Sequence, residues 1–556
     1  MRPTIPFRDV YGQLLRISEL VGARINLIMK RLTTVNLAAR IGAAALGIAL
    51  VGLVVEQSDV NPGRPEANAG AARQSPPNVV MLMTDDETVE DMDVMPHTRE
   101  LLGSNGVTFA RSYVSYLVCC PSRATYLTGQ YAHNHGVMGL YPPTGGYGRF
   151  DRWNSLPVWL EHAGYATAHI GKYLNGYGSQ VAADVPPGWT DWHGAIDGST
   201  YRMWGYTLNE NGRRHTYGRP FDQDPRLYQT DVYRRKAVRF IRRRAPSERP
   251  FFLSVAFLAP HHESASIRRV TGRLVRPAPR YEGALGERPF QTSRAFDEGN
   301  VTDKPRFLRR DPLQLGAMDR IAVHYRERQR SLLAVDDAVE AIVDTLRDEG
   351  ELDDTYILLT SDNDYMQGEH DVPSGKMLPY DPSTRVPLLI RGPGIPQGRV
   401  SRELVGNIDL APTILDVARA RAGAPVDGRS LLRFARHPRL RTRRPFLHET
   451  GGLRYIPVRD QDEDGTPAVR RILSYRAVRT ARWLYIEYRG GARELYDLAR
   501  DPSELHSHYS DPRYARVRRV LRALLQRLER CQGAGCRRPA PAVPAPAGSS
   551  AHSRFT

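Results

Sequence analysis

The chain has 556 residues, 41% of them hydrophobic, and a formal charge of +17. That length and apolar content exclude a mainly disordered chain and suffice for one large domain plus a smaller one. The excess charge comes mostly from arginine. An anionic polymer or a membrane surface would account for it, and so would an arginine-for-lysine bias in a GC-rich genome, which is the simpler reading.

The first element is an uninterrupted apolar stretch, Ile41 to Val55, preceded by Lys30, Arg31 and Arg40. It is shorter than the roughly 20 residues of a spanning helix, so residues 1–56 read as a secretory signal peptide, with a membrane anchor as the alternative. Translation from Met29 would give a lead of ordinary length, and Ala67-Asn68-Ala69 has the form of a cleavage site. The expected location is secreted or extracytoplasmic. Export implies an oxidising compartment, in which the closely spaced Cys531 and Cys536 can pair. A linker over 57–77, rich in Pro, Gly, Ala and Gln, comes next.

From Asn78 onward apolar runs end in polar tails. "NVVMLMTDD", "ATAHIGKYLNG", "PFFLSVAFLAPHH" and "TYILLTSDND" read as buried strands finishing in Asp, Lys or His. Between them lie helical patterns. In "RRKAVRFIRRR" Ala237, Val238, Phe240 and Ile241 point inward under a solvated arginine face; no recognition motif accompanies the charge, so a nucleic-acid surface is not expected. In "RSLLAVDDAVEAIVDTLRDEG" Leu333, Val335, Val339, Ile342, Val343 and Leu346 repeat at helical spacing, and Gly350 stops the helix. Alternation of this kind predicts an α/β domain over 78–443. Its large mixed, mostly parallel sheet is sandwiched by helices, with ligands bound beyond the strands' C-terminal ends. The stretch 263–312 lacks periodicity and reads as a surface insertion that shapes a pocket. Short strands and a last helix near Tyr514 to Arg530 predict a small α+β unit over 444–536, and the Pro/Ala-rich tail 537–556 reads as disordered.

Half of the four cysteines stand side by side at Cys119 and Cys120, ahead of "PSRATYLTG", a short helix closed by Gly129. Cys119 falls at the helix N-terminus, a setting that favours an anion. Taken alone, an ordinary buried thiol or a vicinal disulfide explains the pair equally well.

"CCPSRATYLTG" resembles the type I sulfatase signature C-x-P-S-R-x-x-x-L-T-G. "TDDE", "GKYLN", "APHH", "TSDND", "GKMLPYDPSTRVPLLIRGPG" and "ELYDLARDPSE" extend the resemblance over Asn78 to Cys536. "VCCPSR", "HNH", "GKYLNGYG", "PPGW" and the terminal C-x-G-x-x-C look most like the N-acetylglucosamine-6-sulfatase and heparan 6-O-endosulfatase branch. The resemblance implies an alkaline-phosphatase-like fold and conversion of Cys119 to formylglycine by a maturation enzyme. One hydroxyl of the hydrated aldehyde attacks the sulfur of the ester, and the other collapses to expel sulfate. It implies that Arg123 holds the modified residue and the metal-bound carboxylates, that Lys172 and Lys376 contact the sulfate, and that His261 contacts the sulfate or protonates the leaving oxygen.

The residues agree with that implication. Asp85, Asp86, Asp362 and Asn363 offer four oxygen donors at two strand ends, joined by Cys119 in the implied metal site. Hard oxygen ligands without a His or Cys set select calcium or magnesium, and Ca2+ is the expected ion, with Mg2+ possible. The expected substrate is a sulfated sugar, with an aryl sulfate, or a phosphonate or phosphate ester on the same scaffold, as rivals. A catalytically silent sulfated-glycan binder is a third. Two departures from the pattern bear on the pocket: Leu174 stands where many arylsulfatases carry histidine, leaving Asn175 to take part of that role, and Asp364 replaces the usual glycine. His133 and His135 read as pocket-lining or structural.

Overall fold

A computed structural model describes residues 75–245, 247, 249–451 and 474–548. The apolar segment 41–55 and the Ala67–Ala69 site lie outside them. Among the described residues no helix is long and apolar enough to cross a membrane.

β1 (Asn78–Asp85) is buried at every position, as a strand covered on both faces must be. Then come β2 (Val107–Phe109), β3 (Ser112–Tyr113), β4 (Ala166–Gly171), β5 (Asp191–Ala195), β6 (Tyr206–Glu210), β7 (Arg213–Tyr217) and β8 (Phe251–Pro260). β9 (Thr355–Ser361), β10 (Leu388–Arg391), β11 (Arg399–Ser401) and β12 (Val405–Gly406) follow. Ten of these form one sheet in the order β11-β2-β10-β9-β1-β8-β4-β5-β6-β7. Its centre, β9-β1-β8-β4-β5, is wholly parallel, and antiparallel strands flank it. The large, mostly parallel mixed sheet is therefore as the sequence predicts.

Alternate residues of β1 serve two cores. Val79, Met81 and Met83 pack with α1 (Cys119–Thr128), α2 (Leu156–His162) and α5 (Leu410–Val417). Val80 and Leu82 pack with α3 (Gln229–Arg244) and α4 (Leu315–Asp348) on the other face. Each fully buried Leu, Ile or Phe here contributes roughly 1.5–3 kcal/mol. Two details differ from the sequence reading. Val238 and Leu333 are only half-buried, because the inward stripes of α3 and α4 run through Ala237, Phe240, Ile241 and through Leu332, Val335, Val339. α4 also starts about four turns earlier than its apolar pattern, since its first turns lie at the surface and need no apolar stripe. Gly350, at φ +75°, follows its end.

The insertion over 263–312 carries a short helix (Ala265–Thr271), two single 3-10 turns (Pro279–Tyr281 and Arg306–Leu308) and otherwise irregular backbone. A four-stranded antiparallel sheet follows: β13 (Phe446–Glu449), β14 (Tyr475–Arg479), β15 (Trp483–Tyr488) and β16 (Arg493–Asp497). α6 (Ala515–Leu528) lays Val517, Leu521, Leu524 and Leu528 against one face of it. Leu117, Tyr380 and Met366 pack on the other face. Cys531 and Cys536 are disulfide-bonded.

The tail needs correction for 537–548. Ala540 is buried and donates its N–H to the Arg443 carbonyl, and Arg537 Nη1 donates to the Val426 carbonyl. These contacts anchor a composition that by itself favours disorder.

Candidate active site

Four neighbouring parallel strands deliver their last residues to one place. β9 leads into Asp362 and Asn363, β1 into Asp85 and Asp86, β8 into His261, and β4 into Lys172. The ladders hold this register past the strand ends: Thr84 pairs with Ser361, the Asp362 N–H reaches the Thr84 carbonyl, and the Lys172 N–H reaches that of Ala256. Asp86 sits at φ +68°, a left-handed conformation that an L-residue adopts at a cost of about 1–3 kcal/mol; such strain collects at sites where geometry is over-determined. Asp364 does not take such a φ, so the missing glycine leaves no strain at that position.

α1 supplies the other wall. Val118 is its extended N-cap, Cys119 begins it, and Gly129 ends it at φ +67° with its N–H on the Thr125 carbonyl. Every residue from Cys119 to Thr128 is buried. Ser122 Oγ donates to the Asp362 carbonyl at 2.5 Å and accepts from Asn407 Nδ2 at 2.9 Å, which pins the helix to the end of β9.

The predicted residues converge. Arg123 Nε donates to Asp362 Oδ2 at 2.7 Å, its Nη1 donates to the Lys172 carbonyl at 2.9 Å, and its Nη2 lies 3.4 Å from Asp85 Oδ2. Lys172 Nζ is 2.5 Å from Asp85 Oδ2, and Lys376 Nζ is 2.7 Å from Asp86 Oδ1. Cys119 Sγ stands 3.5 Å from Asp85 Oδ1 and 3.3 Å from Lys376 Nζ. His261 Nε2 is 3.6 Å from Asp86 Oδ2, while its Nδ1 sits 2.8 Å from the His262 carbonyl. Ligand atoms of Asp85, Asp86, Cys119 and His261 all lie within 4.8 Å of one another.

Three buried carboxylates thus meet three buried cations, as groups taken out of water require. Burial, then Asp85, raises the Asp362 carboxyl. Burial pulls Lys376 down, but Asp86 and Cys119 outweigh it and hold the ammonium well above its usual range. Burial, then Lys172 and Lys376, keeps His261 well below its usual range and therefore neutral. Burial, then Asp85, pushes the Cys119 thiol well up, so this sulfur is not a ready thiolate.

The donor set fits a hard divalent ion. Asp362 Oδ1 and Asn363 Oδ1 are buried without a hydrogen-bond partner, and so is Asp86 Oδ2 apart from its approach to His261. Asn363 differs from expectation in one respect: its Nδ2 donates to Asp86, which as a carboxylate attracts a donor.

Cys119 and Cys120 are both free thiols, so the vicinal disulfide is absent. Cys120 packs in the core against the backbone of Gly146 and Asn175, where burial pushes it up to about 12. Leu174 is also core, and Asn175 Nδ2 donates to Tyr201 Oη at 2.8 Å. His133 and His135 stand away from the cluster: His133 bridges Glu449 and the Cys531 carbonyl, and His135 meets Thr125.

Several neighbours carry no sequence signal. Tyr201 places its ring 4.5 Å from Lys172 Nζ and 5.0 Å from His261. Arg328, inside α4, donates to the Asp86 carbonyl at 2.5 Å and lies 4.5 Å over the Tyr365 ring. The stacking of His262 on His261 at 4.2 Å was hidden as well, although the doublet itself was visible.

The profile of the family described as Sulfatase matches residues 77–420, and that described as N-sulphoglucosamine sulphohydrolase, C-terminal, matches 368–531. The chain is 34% identical to an extracellular sulfatase homolog of Caenorhabditis elegans over 64% of this chain and 48% of that protein. It is 36% identical to the N-acetylglucosamine-6-sulfatase of Homo sapiens over 66% of this chain and 65% of that one. The chain thus spans less than two thirds of the length of these relatives. A solved structure of a protein in complex with its substrate D-glucosamine-2-N,6-O-disulfate superposes with a TM-score of 0.65 at 23% identity, covering 81% of this chain and 97% of that one.

Proposed function

Because the chain belongs to the sulfatase family, we propose that it hydrolyses sulfate esters of sugars, of the N-acetylglucosamine-6-sulfate type, with residue 119 as nucleophile. The observation that carries this reading is the convergence of four strand ends and α1 on Cys119, with Asp85 and Lys376 at 3.5 and 3.3 Å from its sulfur. As a thiol this group is poorly suited to attack, being buried and held protonated. Conversion to formylglycine by a maturation enzyme supplies instead a hydrated aldehyde, one hydroxyl for attack and one for release of sulfate.

Asp85, Asp86, Asp362 and Asn363, with residue 119, would hold the ion; these hard oxygen donors suit Ca2+ or Mg2+, of which Ca2+ is the one proposed. Such an ion would neutralise carboxylates and polarise a sulfate oxygen. Arg123 fixes Asp362 and Asp85 and so sets the donors' spacing. Lys172 and Lys376 each share an ammonium with a carboxylate and can offer it to the sulfate oxygens as charge develops. With its Nδ1–H on the His262 carbonyl, neutral His261 presents Nε2 as a base that can take the proton of the attacking hydroxyl and then pass it to the leaving oxygen. Export is part of this reading: residues 1–56 act as the signal, and one relative is named as an extracellular sulfatase homolog.

Two measurements test it: mass analysis of the tryptic peptide Ser112 to Arg123, and release of sulfate from N-acetylglucosamine-6-sulfate. An aldehyde at position 119, with turnover lost in Cys119→Ala, is expected. An intact thiol in protein that still turns over removes the proposed nucleophile.

A further inference from the structure

Arg328 is a charged residue in the middle of α4, yet it is only 1% exposed. A guanidinium taken out of water has to find acceptors, and three separate stretches of chain supply partners for this one. Its Nη2 donates to the main-chain carbonyl of Asp86 at 2.5 Å and lies 3.2 Å from Asp91 Oδ2 in the 3-10 turn Glu90–Val94. Its Cζ stands 4.5 Å from the ring centroid of Tyr365, two residues past Asn363. The guanidinium thus joins the chain beyond β1 to the chain beyond β9, the two strand ends that carry Asp85, Asp86, Asp362 and Asn363.

Asp86 is the residue there that needs holding. Its φ of +68° is a conformation that an L-residue leaves when nothing opposes it. Two bonds from outside the turn bracket it: the Arg328 bond to its carbonyl, and the Glu87 N–H donated to Ser361 Oγ at 2.9 Å. The second reaches only to β9, whereas the first comes from a helix residue 242 positions further along the chain. With the carbonyl released, the main chain can relax toward an extended φ, turning the Asp86 carboxylate away from Lys376, His261 and Asn363, which it now meets. Docking α4 onto the 3-10 turn needs the ion pair with Asp91 alone; the bond to the Asp86 carbonyl is additional and acts on the donor set.

We propose that Arg328 is a positioning residue: it holds the main chain of Asp86 in its left-handed turn and ties it to the chain after β9, so that the oxygens of Asp86 and Asn363 keep the spacing of an ion site. It touches neither substrate nor reacting atoms. The inference rests on the reading of the cluster as an ion site and goes beyond it, since Arg328 offers the ion no ligand.

The test follows the melting temperature of the full chain over a Ca2+ and an Mg2+ series, a readout that needs no turnover. The parent should melt higher as the ion is added. In Arg328→Met the concentration giving half of that rise should be about 10- to 100-fold greater. If the lone Asp91 carboxylate keeps that variant from folding, the double variant Asp91→Asn/Arg328→Met removes both charges and should show the same displacement. Arg330→Met, two residues along the helix with its guanidinium on the Ala284 and Gly286 carbonyls, should respond as the parent does. A purely structural Arg328 would lower the melting temperature without ion and leave the half-rise concentration where it was, and that result overturns the inference. So does an equal displacement in Arg330→Met. A parent that responds to neither ion overturns the ion site itself and the inference with it, which tells the two failures apart.

Discussion

The Lys376 ammonium stands 3.3 Å from the Cys119 sulfur and 2.7 Å from Asp86 Oδ1, so one cation faces both the proposed nucleophile and a carboxylate of the proposed ion site. Lys376→Ala removes charge where it develops during sulfate transfer. The expected loss in kcat is about 100- to 1000-fold. It is measured on N-acetylglucosamine-6-sulfate alongside the melting temperature, and full activity in a folded variant would remove Lys376 from the site.

Dialysis against a chelator should abolish turnover, and Ca2+ should restore it better than Mg2+, because side-chain oxygens from four different residues suit an ion that takes roughly six to eight oxygen ligands better than one that keeps several of its waters. The melting temperature should also rise with added Ca2+, since an ion that binds only the folded chain stabilises it. No shift in melting and no loss of turnover would mean that the carboxylates are balanced by Arg123, Lys172 and Lys376 alone.

Gly129 ends α1 at φ +67°, and a Cβ there would stand 3.1 Å from Pro412 Cδ and 3.3 Å from Val426. Gly129→Ala therefore meets both backbone strain and crowding. Urea unfolding should show a loss of about 1–2 kcal/mol, with a further drop in activity because α1 carries Cys119 and Arg123.

His133, partly buried, and Glu449, fully buried, pair at 3.1 Å between the segment after α1 and β13. Burial lowers His133, but the Glu449 hydrogen bond and charge outweigh it and raise its pKa above 6.5. Burial raises Glu449, but His133 and Arg476 outweigh that and lower it below 4.5. The histidine's contribution is complete below 6.5 and fades as pH rises through its raised value. The glutamate's is complete above 4.5 and fades as pH falls through its lowered value. His133→Gln should therefore cost most between those two, about 1–3 kcal/mol at pH 5.5, and distinctly less at pH 8.5. Equal costs at both pH values would mean that the histidine is uncharged in the folded protein.

Much of this arrangement was legible in the sequence because the chemistry sits where strands stop. An apolar run that ends abruptly in Asp-Asp, His-His or Asp-Asn reports both a buried strand and the polar group at its tip, so Asp85, Asp362 and His261 were visible before any geometry. Lys376 was legible only through the resemblance, since it lies on an irregular loop. Tyr201 and Arg328 were not legible at all. One lies in a turn far from any motif, and the other is a charged residue inside a helix whose neighbours, Glu327 and Arg330, look the same in sequence yet face elsewhere. The anchored stretch from Arg537 to Gly548 was misjudged because composition speaks to what a segment does alone, and the contacts of Ala540 come from Arg443, far away along the chain.

With every side chain from Cys119 to Thr128 enclosed by the sheet, α5 and neighbouring loops, an enzyme that alters Cys119 can meet it only while the polypeptide is still open. Chemistry has to precede closure. Under the proposed conversion of residue 119, a molecule that collapses before its modifier arrives would keep its sulfur, and the yield of competent protein would become a race between two clocks in the producing cell.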